Sequence, residues 1–261
     1  SRGLGDVYKR QEEYGGTDVG LLPLALGFEK IAAMGISPNM LLVTAMDSAC
    51  IARNASDAIK EQYLPGIEKH LIPIGFNEGV GQYTLFLDNV EIPADQVVGE
   101  VDMGALVMFN SLNPERILAA AMCSGMSRHA LEVASDYAKE RKVFRDTPIG
   151  AYQGIAHPLA ACKAEHEAAR TMMLKAAWAF DENWDSARVG SLANMCKLLN
   201  SESALHSVDV AMETLGGSAF VKETGMLQLW NGARLLKTAP VSREMILNFI
   251  AEWELGLPKS Y

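Results

Sequence analysis

Residues 102–142 read DMGALVMFNSLNPERILAAAMCSGMSRHALEVASDYAKERK, and this stretch decides the fold. It is rich in alanine, leucine and methionine, the residues that lose least on entering a helix. Two more stretches of the same kind follow at 152–182 and 186–215, with shorter ones at 225–236 and 240–255. Long helices joined by short loops must run antiparallel and bury their apolar stripes on one another. Residues 100–261 are therefore expected to form a C-terminal antiparallel four-helix bundle. Small residues gather at Ala119, Ala120, Ala121, Ser124, Gly125 and Ser127, where they would let another helix come close.

Working toward the N-terminus, residues 67–99 change character. HLIPIGF and QYTLFLDNVEIP place β-branched and aromatic residues in near-alternation, with Gly79 and Gly81 between them. They read as two strands followed by a turn at Pro93-Ala94-Asp95. Before them, Leu21 to Met34 is apolar at helical spacing and closes at Gly35 and Pro38. Residues 39–53 read as a second helix. Ser56 or Asp57 is placed to cap a third, expected to end before Pro65-Gly66. Residues 1–11, SRGLGDVYKRQ, have no clear period and read as a disordered or foreign tail. The fold class is thus mainly α, with N-terminal helices at 12–66, a small β remnant at 67–99 and the bundle at 100–261.

Hydrophobic residues make up 49% of the 261, which places the chain among globular proteins. The net charge of −9 and the lack of any basic stripe exclude ordinary nucleic-acid binding. The four cysteines, Cys50, Cys123, Cys162 and Cys196, form no C-x-x-C pair, as expected of a chain in the reducing cytoplasm. No apolar run is long enough for a membrane span. GLG at residues 3–5 lacks the strand and the third glycine of a dinucleotide fingerprint. Cys162 and His166 share a helix face, but two ligands cannot close a tetrahedral shell, so no metal site is expected.

Three stretches carry candidate chemistry. ERKVFRDTPIGAYQ at 140–153 joins two long helices and places Arg141, Phe144 and Gln153 around one loop. Those groups suit a pyrophosphate or a flavin edge, or else serve as helix caps with Phe144 as a hydrophobic staple. LGGSAF at 215–220 puts Gly216 and Gly217 after a helix, either as a C-cap or as an opening for a ligand to approach the backbone. In SLNPERILAAA at 111–121, Glu115 sits in an apolar run. A carboxylate facing an apolar pocket has a raised pKa and can act as a general base. Asn113 as N-cap, Pro114 as first helical residue and Glu115 as an acidic first-turn residue is the other reading.

Taken in series, these stretches resemble the acyl-CoA dehydrogenase family. EEYGGTDVG resembles its early helix-linking segment, IARNASDAIKEQYLPGI the end of its N-terminal helical domain, and FLDNVEIPADQVVGE the exit from its middle β-domain. ERKVFRDTPIGAYQGIAHPLA resembles the flavin-contacting helix junction. LGGSAF and the NGAR of residues 231–234 resemble the later glycine pair and the arginine segment beyond it. The resemblance runs from Glu12 to Tyr261.

It implies an FAD-dependent oxidation of an acyl-CoA thioester to the trans-2-enoyl-CoA, with removal of the α-proton and transfer of the β-hydride to the flavin. By position it implies that Arg141 contacts the flavin pyrophosphate, Phe144 and Gln153 line that site, and Gly216 and Gly217 pass near the adenine half. These contacts cross a subunit interface in the family, so a homodimer or homotetramer is implied, with an electron-transfer flavoprotein as the usual acceptor. Asn113 and Arg116 fall where the family contacts the CoA part or orders the active site. The family's frequent base, a glutamate in a Tyr-Glu-Gly-Thr segment, corresponds to Pro240 here. Other members carry the base on the first long helix of the bundle, and that position is Glu115. Arg145 stands where the family commonly has glycine. A β-barrel-like domain of roughly eight strands cannot be made from the thirty or so residues available. Most of that domain is expected to be missing, with the join near Pro65-Gly66-Ile67. That shortage leaves one alternative function, an inactive helical protein that oligomerises or binds acyl-CoA.

Overall fold

The computed structural model describes residues 20–69, 86 and 88–259. Three helices open the described part: α1 (Leu21–Ala33), α2 (Asn39–Asn54) and α3 (Asp57–Lys69). Three long helices follow: α4 (Gly104–Glu140), α5 (Gln153–Asp181) and α6 (Ser186–Leu215). Then come α7 (Met226–Thr238) and α8 (Arg243–Phe249), with a π-helical turn at Ile250–Glu254.

Helix α4 is the centre. Its residues Ile117 to Cys123 are buried, α6 and α5 pack along it, α1 lies across it, and α7 closes the bundle against α6. The short connections make α4, α5 and α6 alternate in direction. Alanine is the commonest residue of this core, which keeps the axes close.

The cluster of small residues does what its composition predicts. A side chain at Gly125 would stand 2.3 Å from the backbone oxygen of Glu29, so only glycine lets α1 and α4 approach this closely. Polar contacts then fix α1 in register. Asp181, at the end of α5, accepts hydrogen bonds from the amides of Leu21 and Leu22 at 2.7 and 2.8 Å, supplying the N-terminal cap that Gly20 lacks. Glu29, buried on α1, accepts from Ser124 Oγ at 2.7 Å and from Arg170 Nε at 2.6 Å. Asp185 caps α6 in the usual way, accepting from the amides of Ala187 and Arg188.

The structure differs from the sequence reading in two places. Helix α3 does not stop before Pro65 but continues to Lys69, so no strand begins at Ile67. Residues 70–85 and 87, where most of the two expected strands fall, lie outside the described residues; 88–93 pair with nothing as strand, and the expected turn is a single 3-10 turn at Ala94–Gln96. Among the described residues the β structure is elsewhere, a two-stranded antiparallel hairpin of β1 (Lys142–Val143) and β2 (Thr147–Pro148). It was hidden because two residues per strand are too few to show a period.

Candidate active site

Helix α4 begins at Gly104, so Asn113 and Pro114 are interior residues and cannot be its N-cap and first position. The capping account of Glu115 therefore fails. Pro114 removes one backbone donor from the helix here. Glu115 is half-buried, and its Oε2 is covered and has no hydrogen-bond partner. Burial pushes its carboxyl above the ordinary range, against the neighbouring charge of Arg116; the carboxylate of Asp47 on α2 adds to the rise. Arg116 is buried as well. Its Nη1 donates to Asn113 Oδ1 at 3.2 Å, while its Nε is covered and unpaired. Asn113 in turn lies against Gly190 of α6, where an added side chain would stand 3.5 Å from its Oδ1. Asn113, Glu115 and Arg116 are thus brought together at one end of the bundle, between α2 and α6.

Sequence reasoning missed two residues here. Asp47 was hidden in an apolar helix, and its one signal was being the lone acidic residue of α2. Lys197 on α6 is buried, and its Nζ donates to the carbonyls of Lys237 at 3.2 Å and Val241 at 2.6 Å. It ties the segment around Pro240 to α6. Burial pushes the Lys197 amine below its ordinary range, and the charge of Arg116 adds slightly to that.

The second group sits at the other end. Arg141 follows the last residue of α4 and is exposed, its amide donating to the Tyr137 carbonyl at 2.8 Å. Phe144, at the hairpin tip, is 84% exposed, which rules out the hydrophobic staple. Gln153 opens α5 and is exposed. Gly216 ends α6 at φ 58°, and neither it nor Gly217 has any neighbour within 4 Å of an added Cβ, so the backbone there is open to a ligand. The up-down-up course of α4, α5 and α6 brings all five to one end. Arg141 is 26 positions past Glu115, or about 40 Å along a straight helix.

Family models match both parts of the chain. "Acyl-CoA dehydrogenase, N-terminal domain" covers residues 7–69, and "Acyl-CoA dehydrogenase, C-terminal domain" covers residues 102–255. The chain belongs to the acyl-CoA dehydrogenase family. It is 48% identical to acyl-CoA dehydrogenase FadE12 of Mycobacterium tuberculosis over 180 residues, 69% of this chain and 46% of the relative. Its fold is similar to that of a glutaryl-coenzyme A dehydrogenase in complex with glutaryl-CoA, with TM-score 0.81, 23% identity, 95% of this chain and 84% of the other covered. It is also similar to the FAD complex of PigA, with TM-score 0.79, 21% identity, and 94% and 85% covered. The chain spans about half the length of the curated relatives it matches. Residues 70–101 lie between the two acyl-CoA dehydrogenase matches, and they hold most of the stretch read from the sequence as the remnant of the middle β-domain.

Proposed function

We propose that this chain carries part of an acyl-CoA dehydrogenase in which Glu115 is the base that removes the α-proton of an acyl-CoA thioester. The observation that carries this is the covered, unpartnered Oε2 of Glu115 in surroundings that hold its pKa up. A buried carboxyl with no partner is costly unless something else occupies its lone pair. A base of raised pKa sits closer to the weakly acidic proton it must take. Arg116 and Asn113 lie beside it and would orient the thioester end of the substrate. Pro240 offers no carboxylate, and of the two carboxyl groups that act on one another here Asp47 is exposed while Glu115 is covered, so Glu115 takes the role.

The surroundings of the second group fit FAD. Arg141 would face its pyrophosphate, Phe144 and Gln153 would line the same surface, and the bare backbone of Gly216 and Gly217 would admit its adenine half. FAD, when bound, supplies the acceptor for the β-hydride. The product would be the trans-2-enoyl-CoA, and the reduced cofactor would pass its electrons to an electron-transfer flavoprotein. About 40 Å separates Glu115 from Arg141, too far for both to meet the same end of one cofactor. Residues from a second copy of the chain would complete each site, as in a homodimer or homotetramer.

The test is the absorbance of the purified protein saturated with FAD, before and after acyl-CoA is added without oxygen. The proposal expects the flavin band to bleach, and expects Glu115→Gln to retain flavin but slow bleaching by at least 100-fold, the lower range for loss of a positioned base. Bleaching at an unchanged rate in Glu115→Gln would overturn the assignment of the base.

A further inference from the structure

A second cluster lies outside this site, on the contact between α5 and α6. Cys162 and Glu165 are three residues apart on α5 and so share a helix face. His206 on α6 meets them. One ligand atom from each, the Cys162 thiol sulfur, a Glu165 carboxylate oxygen and a His206 ring nitrogen, lie within 4.8 Å of one another. His206 Nδ1 is 2.7 Å from Glu165 Oε2. Cys162 is buried at the base of the cluster, while Glu165 and His206 are half-exposed at its mouth.

We propose that Cys162, Glu165 and His206 form a binding site for a divalent zinc ion that clamps α5 to α6. The donor set is the reason. Sulfur, imidazole nitrogen and carboxylate oxygen are the three ligand types zinc takes, whereas the hard cations magnesium and calcium want oxygen donors alone. Tetrahedral bond lengths of about 2.0–2.3 Å put neighbouring donors roughly 3.3–3.7 Å apart. The cluster needs only a small change to reach that, with the His206–Glu165 pair opening by roughly half an ångström or more. Three protein donors leave a fourth position for water, and the exposed mouth provides the way in. On binding, the Cys162 thiol gives its proton to solvent and the ion replaces it on sulfur; no electrons move.

Sequence spacing could not have shown this site, because its third member comes from another helix 41 residues away. His166, the neighbour that spacing offers, is buried one turn further along α5 and is not part of the cluster. The site is separate from Glu115, and its test does not depend on turnover.

The test is zinc titration of the purified full chain against a chromophoric chelator, with cobalt as a spectroscopic probe. The proposal expects one zinc per chain and a thiolate-to-cobalt charge-transfer band. His206→Gln, an exposed substitution that leaves the core intact, should weaken zinc binding by at least about 10-fold, since even loss of a group that merely supports a ligand costs 10- to 100-fold. Cys162→Ser should abolish the charge-transfer band, and Cys50→Ser should leave both readouts unchanged. Absence of stoichiometric binding to the wild-type chain, or unchanged affinity in His206→Gln, would overturn the proposal and leave the pair as an ordinary ion pair.

Discussion

Glu115 shows how far a single residue can be read from sequence. The run around it was visibly apolar, so a raised pKa was a fair expectation. The competing account was equally good, since Asn-Pro-Glu is what a helix start looks like. Only the nine residues before Asn113 decided it, because they too are helical and leave no helix start to cap. Asp47 was legible only as the lone acidic residue of its helix; its effect on Glu115 comes through space from another helix. The environment of Glu115 has a consequence for stability. A carboxyl whose folded pKa is raised binds its proton more tightly in the folded chain, so stability falls as pH rises from the unfolded pKa to the folded one, and stays lower above it. Glutamine carries no such penalty. Glu115→Gln should therefore be more stable than the parent at neutral pH, with the advantage disappearing below the unfolded glutamate pKa. Urea unfolding at pH 4 and pH 7.5 checks this. Equal stability differences at the two pH values would mean that the carboxyl is solvated rather than held up by burial.

At the scale of elements, the long helices were legible because alanine, leucine and methionine at a 3.6-residue period extend over many turns and admit no other structure. Helix α3 was misjudged at Pro65, where a proline near the end of a helix was read as a stop although the helix runs on to Lys69. The hairpin between α4 and α5 was missed for the opposite reason: it is too short to leave a pattern. Its turn holds Phe144, Arg145 and Asp146 at φ of 40, 61 and 66°, three consecutive residues in the left-handed region. Each such residue costs about 1–2 kcal/mol when it carries a Cβ. The turn is held by the β1–β2 pairing and by Lys142 Nζ donating to Asp146 Oδ2 at 2.9 Å. This strain explains physically why glycine would suit position 145. Arg145→Gly should stabilise the chain by about 0.5–1 kcal/mol, the relief of strain less the greater freedom of glycine in the unfolded state. Thermal unfolding would show it as a rise in Tm; a fall would mean that the Arg145 side chain makes contacts worth more than the strain.

For the whole molecule, sequence composition indicated a bundle, but not that the bundle would separate the candidate base from the candidate flavin contacts. That separation follows from the length of α4, which puts Glu115 near one end of the bundle and Arg141 at the other. The surface is consistent with further partners. Phe86, Val90, Ile92, Val101 and Met108 are exposed around the entry to α4, beside the stretch where the middle domain was expected. If each site takes Glu115 from one chain and Arg141 from its partner, then a Glu115→Gln chain and an Arg141→Ala chain are each inactive alone but complement each other. In a mixed dimer, one site combines both defects and the other has neither. Random pairing of equal amounts makes half of the dimers mixed, so about a quarter of the sites are intact. Co-refolding the two variants with FAD and measuring bleaching by acyl-CoA should recover about a quarter of the wild-type amplitude. Recovery depends on subunit exchange, so mixing the already folded variants should give less until exchange occurs. No recovery from a sample that mass spectrometry shows to contain mixed dimers would mean that each chain builds its site alone, and that the two ends of α4 serve different ligands.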